Sequence, residues 1–82
     1  MTVNFIQLAP RVVSNPQILN GKPCVQGTRI PVTAVLQLLS DGLTYQQIIA
    51  DYYPHLKPKD IQACIEYARH LVDNDELMLA AA

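Results

Sequence analysis

The 82-residue sequence predicts a mainly α fold, in which three short helices in helix-turn-helix order follow a short β-hairpin platform. Three observations carry that expectation. The stretch Asn15 to Val32, NPQILNGKPCVQGTRIPV, packs two glycine turns and three prolines into one extended segment. Beyond it the apolar residues recur with helical spacing as far as about Val72, and start and stop signals divide that stretch into three. No apolar run approaches the length of a membrane span and no repeat is present, so the chain has room for one domain. Its parts are an extended platform over 1–31, a three-helix unit over 32–72 and a short tail over 73–82.

Met1 to Ser14 carries Val3, Phe5, Ile6, Leu8, Val12 and Val13, a spacing too irregular for a helix and broken by Pro10. It reads as one or two extended pieces, with Val12-Val13 placed to pair with a short strand at Lys22 to Val25. An edge left unpaired there is a candidate for joining the same edge of a second subunit. Asn20-Gly21 is a turn signal because both residues tolerate positive φ, and Gln26-Gly27-Thr28 offers a second reversal. Pro23 cannot donate to a ladder, which suits a first strand position or an edge, and Pro31 fixes φ where the helical pattern begins. Gly21, Pro23, Gly27, Thr28, Pro31 and Gly42 are therefore assigned to structural turns.

The first helix is expected from Val32 or Thr33 to Ser40, entered from Pro31 and stopped by Asp41-Gly42, where glycine can take the left-handed conformation. Ala34, Val35, Leu36, Leu38 and Leu39 make it apolar almost all round, the pattern of a helix covered on more than one side. Thr44 and Gln47 form a capping box for the second helix, with Ile48, Ile49 and Tyr52 on one face and Gln46, Gln47 and Asp51 pointing outward. Pro54 to Lys57 reverses the chain, and Pro58 suits the first position of the third helix. Lys57 is an unusual N-cap because it offers no acceptor oxygen. Ile61, Cys64, Ile65, Ala68, Leu71 and Val72 make the third helix strongly amphipathic, and the acidic run Asp73 to Glu76 closes it.

Half the residues are hydrophobic and only 16% are charged, so a monomer of this size has little polar surface with which to cover its core. A homodimer is the expected state. The N-terminus lacks the basic flank and cleavage site of a secretory signal, which points to the cytoplasm. Cys24 and Cys64 read as reduced, buried hydrophobes. No metal site is expected from Cys24, His55, Cys64 and His70, since no pair has ligand spacing: Cys64 and His70 stand about 240° apart around one helix. His55 reads as a loop residue capping a helix end, and Tyr52, Tyr53 and Tyr67 as core edges with wet hydroxyls.

No nucleophile elbow, paired carboxylates or phosphate loop stands in the sequence, so neither an enzyme nor a small-molecule substrate or cofactor is expected. The formal charge of −1 removes the broad basic footprint of a strong DNA binder, and any nucleic-acid contact has to rest on a local patch, weak and salt-dependent. On the third helix the outward positions are Lys59, Asp60, Gln62, Ala63, Glu66, Tyr67, Arg69 and His70. Gln62 can read adenine and Lys59 guanine or phosphate, while Asp60 and Glu66 repel the backbone. Lys22, Arg29, Lys57, Lys59, Gln62 and Arg69 are the candidate partner or nucleic-acid contacts. Lys22 and Arg29 rank ahead of the helix residues because a rigid turn holds them. Two roles stay open for Arg29: presenting its planar fork to a phosphate or carboxylate, or, ranked first, organising the turn by bonding several carbonyls at once. In the second role its loss would cost roughly 1 to 3 kcal/mol.

Gly21-Lys22-Pro23, then Gly27-Thr28-Arg29-Ile30-Pro31-Val32, then Tyr53-Pro54-His55-Leu56 stand in an order and spacing that resemble the small bacterial and archaeal proteins of domain-of-unknown-function family 433. The resemblance runs from about Arg11 to Leu71. Lys57 departs from it, where the family usually shows a small polar residue. The resemblance implies a homeodomain-like helix-turn-helix domain and an antitoxin role, with a PIN-like ribonuclease toxin as partner and the chain's own promoter as a further DNA target. Under that reading Asp73 to Ala82 is the arm that folds onto the toxin. The alternatives are a helix-turn-helix repressor without a toxin and a purely structural dimerisation module.

Overall fold

The computed structural model describes residues 5–74. A three-stranded antiparallel sheet comes first, β1 Ile6–Ala9, β2 Val12–Ser14 and β3 Cys24–Val25, in the spatial order β1-β2-β3. Three helices follow, α1 Val32–Ser40, α2 Tyr45–Asp51 and α3 Pro58–Asp73.

The expected pairing of the platform is present, with Val12 opposite Val25 and Val13 opposite Cys24. The strand expected over Lys22 to Val25 is shorter, because Lys22 and Pro23 leave the preceding turn in extended conformation before the ladder begins. That turn, Leu19–Gly21, holds three successive residues at positive φ, of 52°, 56° and 82°. Asn20 and Gly21 accept this easily. Leu19 does not, and its strain of about 1 kcal/mol is held by the Lys22 amide donating to the Leu19 carbonyl at 3.2 Å. At Gly21 a Cβ would stand 3.3 Å from Ser14 Oγ, the hydroxyl that donates to the Gly21 carbonyl.

Pro10 ends β1 and Arg11 turns the chain at φ 66°, so that β1 pairs with β2 through Ile6–Ser14, Gln7–Val13 and Ala9–Val12, with an irregularity between Gln7 and Ala9. At the second reversal Thr28 is the organising side chain. Its hydroxyl donates to the Val25 carbonyl at 2.8 Å and accepts from the Ile30 amide at 3.0 Å. Val25 N–H then reaches the Ile30 carbonyl and Val32 N–H the Pro23 carbonyl, both at 2.9 Å, which carries the chain alongside β3 into α1.

Helix α1 has the expected bounds. Its C-terminus is a Schellman motif: the Gly42 amide donates to Leu39 O at 3.0 Å and the Leu43 amide to Leu38 O at 3.1 Å, with Gly42 at φ 92°. Only Val32 and Val35 of this helix are fully buried, and Leu36, Leu38 and Leu39 are partly covered. The all-round burial expected of α1 is therefore not reached by the described residues of one chain. In α2 the Thr44 hydroxyl accepts from the Gln47 amide at 3.1 Å and the Gln47 side chain accepts from the Thr44 amide at 2.8 Å, the capping box read from the sequence. Tyr52 departs from expectation. It stands outside α2 at φ −120°, where the chain unwinds towards Pro54, and its side chain swings to 53% exposure instead of sharing the Ile48 face.

One core joins platform and helices: Val12, Val25, Val32, Val35, Ile48, Leu56, Ile61 and Cys64. Val12 faces that core, while Val13, its neighbour on the two-residue period of a strand, is buried on the opposite face of the sheet. The sheet thus has work on both sides. Among the described residues no helix is long and apolar enough to cross a membrane. Met1–Asn4 and 75–82, including most of the tail read as a partner arm, lie outside the described residues.

Gly42→Ala tests the helix stop, because nothing stands within 4 Å of the added methyl and the whole effect is conformational. A loss of about 1 kcal/mol in chemical denaturation is expected from forcing a Cβ into left-handed backbone.

Candidate functional site

The arrangement begins with Asp60. Helix α3 starts at Pro58 behind Lys57, which has no acceptor oxygen for the free amides of the first turn. Asp60 Oδ2 compensates by accepting from the Lys57 backbone amide at 2.9 Å. Its other oxygen accepts from Arg11 Nη1 at 3.0 Å, across 49 residues of sequence. The Asp60 side chain is 13% exposed and that of Arg11 44%. Asp60 is therefore not an outward charge facing a ligand, as its helix position suggests, but the tie between α3 and the β1–β2 turn. The Arg11 carbonyl also accepts from Gln26 N at 2.8 Å, which fixes the platform's second reversal to its first.

This tie sets the walls of a groove of about 630 Å³ between β1 and α3, with Leu8, Ala63 and Tyr67 among the residues of its walls and Lys59, Gln62 and Arg69 along α3. Three of the candidate contacts therefore come together. Two of them are already engaged. Gln62 accepts from the Tyr45 hydroxyl at 2.9 Å and donates to Glu66 at 3.4 Å. Arg69 donates to Glu66 at 2.9 Å and to Asp73 at 2.7 Å. Its hydrogen bond and charge hold the Glu66 carboxyl below the usual range, and Glu66 in turn raises the guanidinium. Lys59 makes no ion pair among the described residues. Ala63 and Tyr67 pack against the core, and so are not the outward positions that spacing suggested.

The opposite face of the sheet carries a second groove, of about 760 Å³, bounded by Phe5, Val13, Ile18 and Ile30 with Arg29 and His55 at its polar edge. Arg29 lies here. Its side chain is exposed and forms no hydrogen bond or ion pair among the described residues, which overturns the turn-organising role ranked first for it. Thr28 performs that role with one hydroxyl, and Arg11 is the arginine that organises the fold. His55 likewise caps no helix: it is exposed, without a hydrogen bond among the described residues. Lys22 and Lys57 are exposed and line neither groove.

Both cysteines are free and buried. Burial, reinforced by the Asp60 carboxylate, pushes the Cys64 thiol up to about 11, and burial alone raises Cys24. Neither is an activated nucleophile. Among the described residues no three His, Cys, Asp or Glu side chains stand together where a metal ion would be held. What the arrangement offers is binding surface: an apolar groove with a guanidinium that has no partner among the described residues, and an uncharged strand edge beside it.

A family model described as protein of unknown function, DUF433, matches residues 12–68. No curated protein and no solved structure matches the chain. The matched span takes in Thr28, Arg29 and Asp60 and leaves out β1.

Arg29→Ala should change stability by less than about 0.5 kcal/mol, as surface changes without partners do, whereas Asp60→Ala should remove about 1 to 3 kcal/mol by taking away the cap and orphaning Arg11. Thermal melts of the two variants separate them. A large loss in Arg29→Ala would mean that the guanidinium has a fold-organising partner after all. Cys64 gives a pH signature. Below pH 9.0 its thiol is protonated whether the chain is folded or not; as pH rises towards 11 the unfolded thiol ionises first, so stability falls through that window. Denaturation midpoints across it should decline more steeply for wild type than for Cys64→Ala.

Proposed function

This chain belongs to the DUF433 family, and from that premise we propose that it is a small non-enzymatic regulatory protein of the antitoxin type, a homodimer that holds a PIN-like ribonuclease as its protein partner. The observation that carries the reading is the Arg29 groove. An arginine with no partner among the described residues, beside an apolar channel bounded by Phe5, Val13, Ile18 and Ile30, suits a protein segment that pairs an apolar side chain with a carboxylate. The guanidinium fork meets the carboxylate, and the apolar wall excludes water around it. Covering a nuclease in this way needs no reaction by the chain itself. The motif resemblance to antitoxin-like proteins supplies the class of partner.

Promoter binding is the second reading, in keeping with the homeodomain-like helix-turn-helix that the motif resemblance implies. Its support is narrow. Lys57 and Lys59 flank the start of α3 without ion pairs among the described residues, but Gln62 and Arg69, which would read bases and phosphates, are held by Tyr45, Glu66 and Asp73. Opening those contacts opposes any gain from DNA, so sequence-specific reading by α3 is secondary to protein binding.

Co-expression with the product of the neighbouring reading frame, followed by size-exclusion chromatography, tests the proposal. A stable complex is expected, with affinity falling at least tenfold for Arg29→Glu and little changed for Lys59→Ala, while both variants keep the wild-type melting temperature. A complex indifferent to Arg29→Glu would move the partner away from this groove. No complex at all, with tight binding to the upstream DNA, would favour the repressor.

A further inference from the structure

The two outer edges of the sheet differ. β3 is covered by its own chain: Pro31 bridges to Cys24, and the Val25 and Val32 amides bond Ile30 and Pro23 carbonyls at 2.9 Å. Pro23 and Pro31, which flank that side, have no N–H to offer. β1 pairs with β2 on one side, and among the described residues no strand covers the other. Of the devices that usually guard such an edge, the strand has shortness, at four residues, and the irregularity between Gln7 and Ala9, but no charged or proline residue within it. Phe5 to Ala9 reads FIQLA, with no charge and no proline, and Ile6 is 63% exposed, Phe5 40% and Leu8 38%. The strand is also held ready. Gln7 Nε2 donates to Gln26 Oε1 at 3.1 Å and to the Ala9 carbonyl at 2.8 Å, so much of the ordering that a docking strand requires has already been met in the free chain.

We propose that this edge is the dimer interface: two copies pair β1 to β1, antiparallel across a two-fold axis, to make one continuous six-stranded sheet. The proposal deepens the homodimer reading above and rests on it, by naming the surface. Charge selects a second copy over a foreign strand. The edge carries no charged side chain for a partner to match, its neighbour Arg11 is already paired with Asp60, and a chain of net charge −1 meets its own copy with little repulsion. Closure selects it too. Pairing across a two-fold consumes the open edge of both sheets at once, and because β3 is covered, assembly stops at two. A foreign strand would close one edge and present another. Ile6 and Leu8 are both exposed on β1, so antiparallel pairing also brings apolar side chains of the two copies together, the contact that stabilises neighbouring strands.

Sedimentation equilibrium of the full chain, with wild type, Ile6→Lys and Val72→Lys side by side, tests this. Wild type should sediment as a dimer. Ile6→Lys, which puts a charge on the edge from a side chain already largely in solvent, should weaken association at least tenfold with an unchanged melting temperature. Val72→Lys, at an exposed apolar position on α3 that lines neither groove, should leave the dimer intact. Hydrogen exchange on the wild type gives a measure independent of any variant: the β1 amides should gain protection as concentration rises through the association range. A dimer that survives Ile6→Lys, or β1 amides indifferent to concentration, overturns the β1 interface while leaving the homodimer standing. A wild type that stays monomeric to 100 µM overturns both, and β1 protection that appears only with the neighbouring gene product assigns the edge to a foreign strand instead.

Discussion

The Asp60 carboxylate is the contact on which the rest of the molecule depends. One oxygen accepts from the Lys57 amide at the N-cap of α3, and the other holds Arg11 at the tip of the β1–β2 turn. Without it α3 would begin with an unpaired amide, and β1 and β2 would be joined to the helices only through the Val12 side of the sheet. An exposed ion pair contributes little by itself, since water screens it and two side chains lose freedom to form it. This one differs in position. It shares its carboxylate with a backbone amide, the carboxylate is nearly buried, and it closes a loop of 49 residues, so its loss is felt at both ends.

How far the fold was legible depends on where each signal resides. Thr44 with Gln47, Pro31 before α1, and Asp41-Gly42 after it are local signals: donor, acceptor and backbone freedom lie within a few residues of one another, and the structure uses them as read. The Val12-Val13 pairing with Cys24-Val25 was legible because two turn signals bracketed the strand. Arg11 and Asp60 were not, since nothing local links residues 49 apart. Asp60 did carry a trace, an acid at the third position of a helix whose N-cap has no acceptor, and Pro10-Arg11 had the form of a turn. Arg29 was misjudged for a physical reason. Its neighbours are constrained backbone, and a constrained backbone suggested a side chain doing the constraining, but the hydroxyl of Thr28 is shorter, closer and sufficient.

The candidate contacts divide by whether a charge is already used. On α3 the polar residues satisfy one another, Gln62 with Tyr45 and Glu66, Arg69 with Glu66 and Asp73, and a network of that kind gives a soluble helix face. Spacing alone placed these residues outward, and a ligand-reading face and a self-satisfied one have the same spacing. The platform behaves in the opposite way. Its turns are paired through backbone bonds and bridges, while the outer edge of β1 and the side chains Arg29, Phe5 and Ile6 are left open among the described residues. Rigid backbone with uncommitted side chains is the condition under which binding loses least to ordering.

A short sheet with two working faces follows from this division. Val12 turns towards the helices and sits in the core, and Val13 turns away and is still 8% exposed, so residues beyond the sheet cover the far side as well. Among the described residues no further layer covers the edge of β1 or completes the burial of the leucines of α1. The motif-bearing turns from Gly21 to Val32 thus do two things at once: they seal β3 against pairing and set Arg29 beside the Val13 face. Because β3 is covered by its own chain and, among the described residues, the outer edge of β1 is not, any added strand would meet the sheet at β1, and the groove that holds Arg29 runs from that end, at Phe5, to the loop before α3, at His55. The proposed assembly and the proposed partner binding therefore draw on one preformed platform, tied to α3 by Asp60.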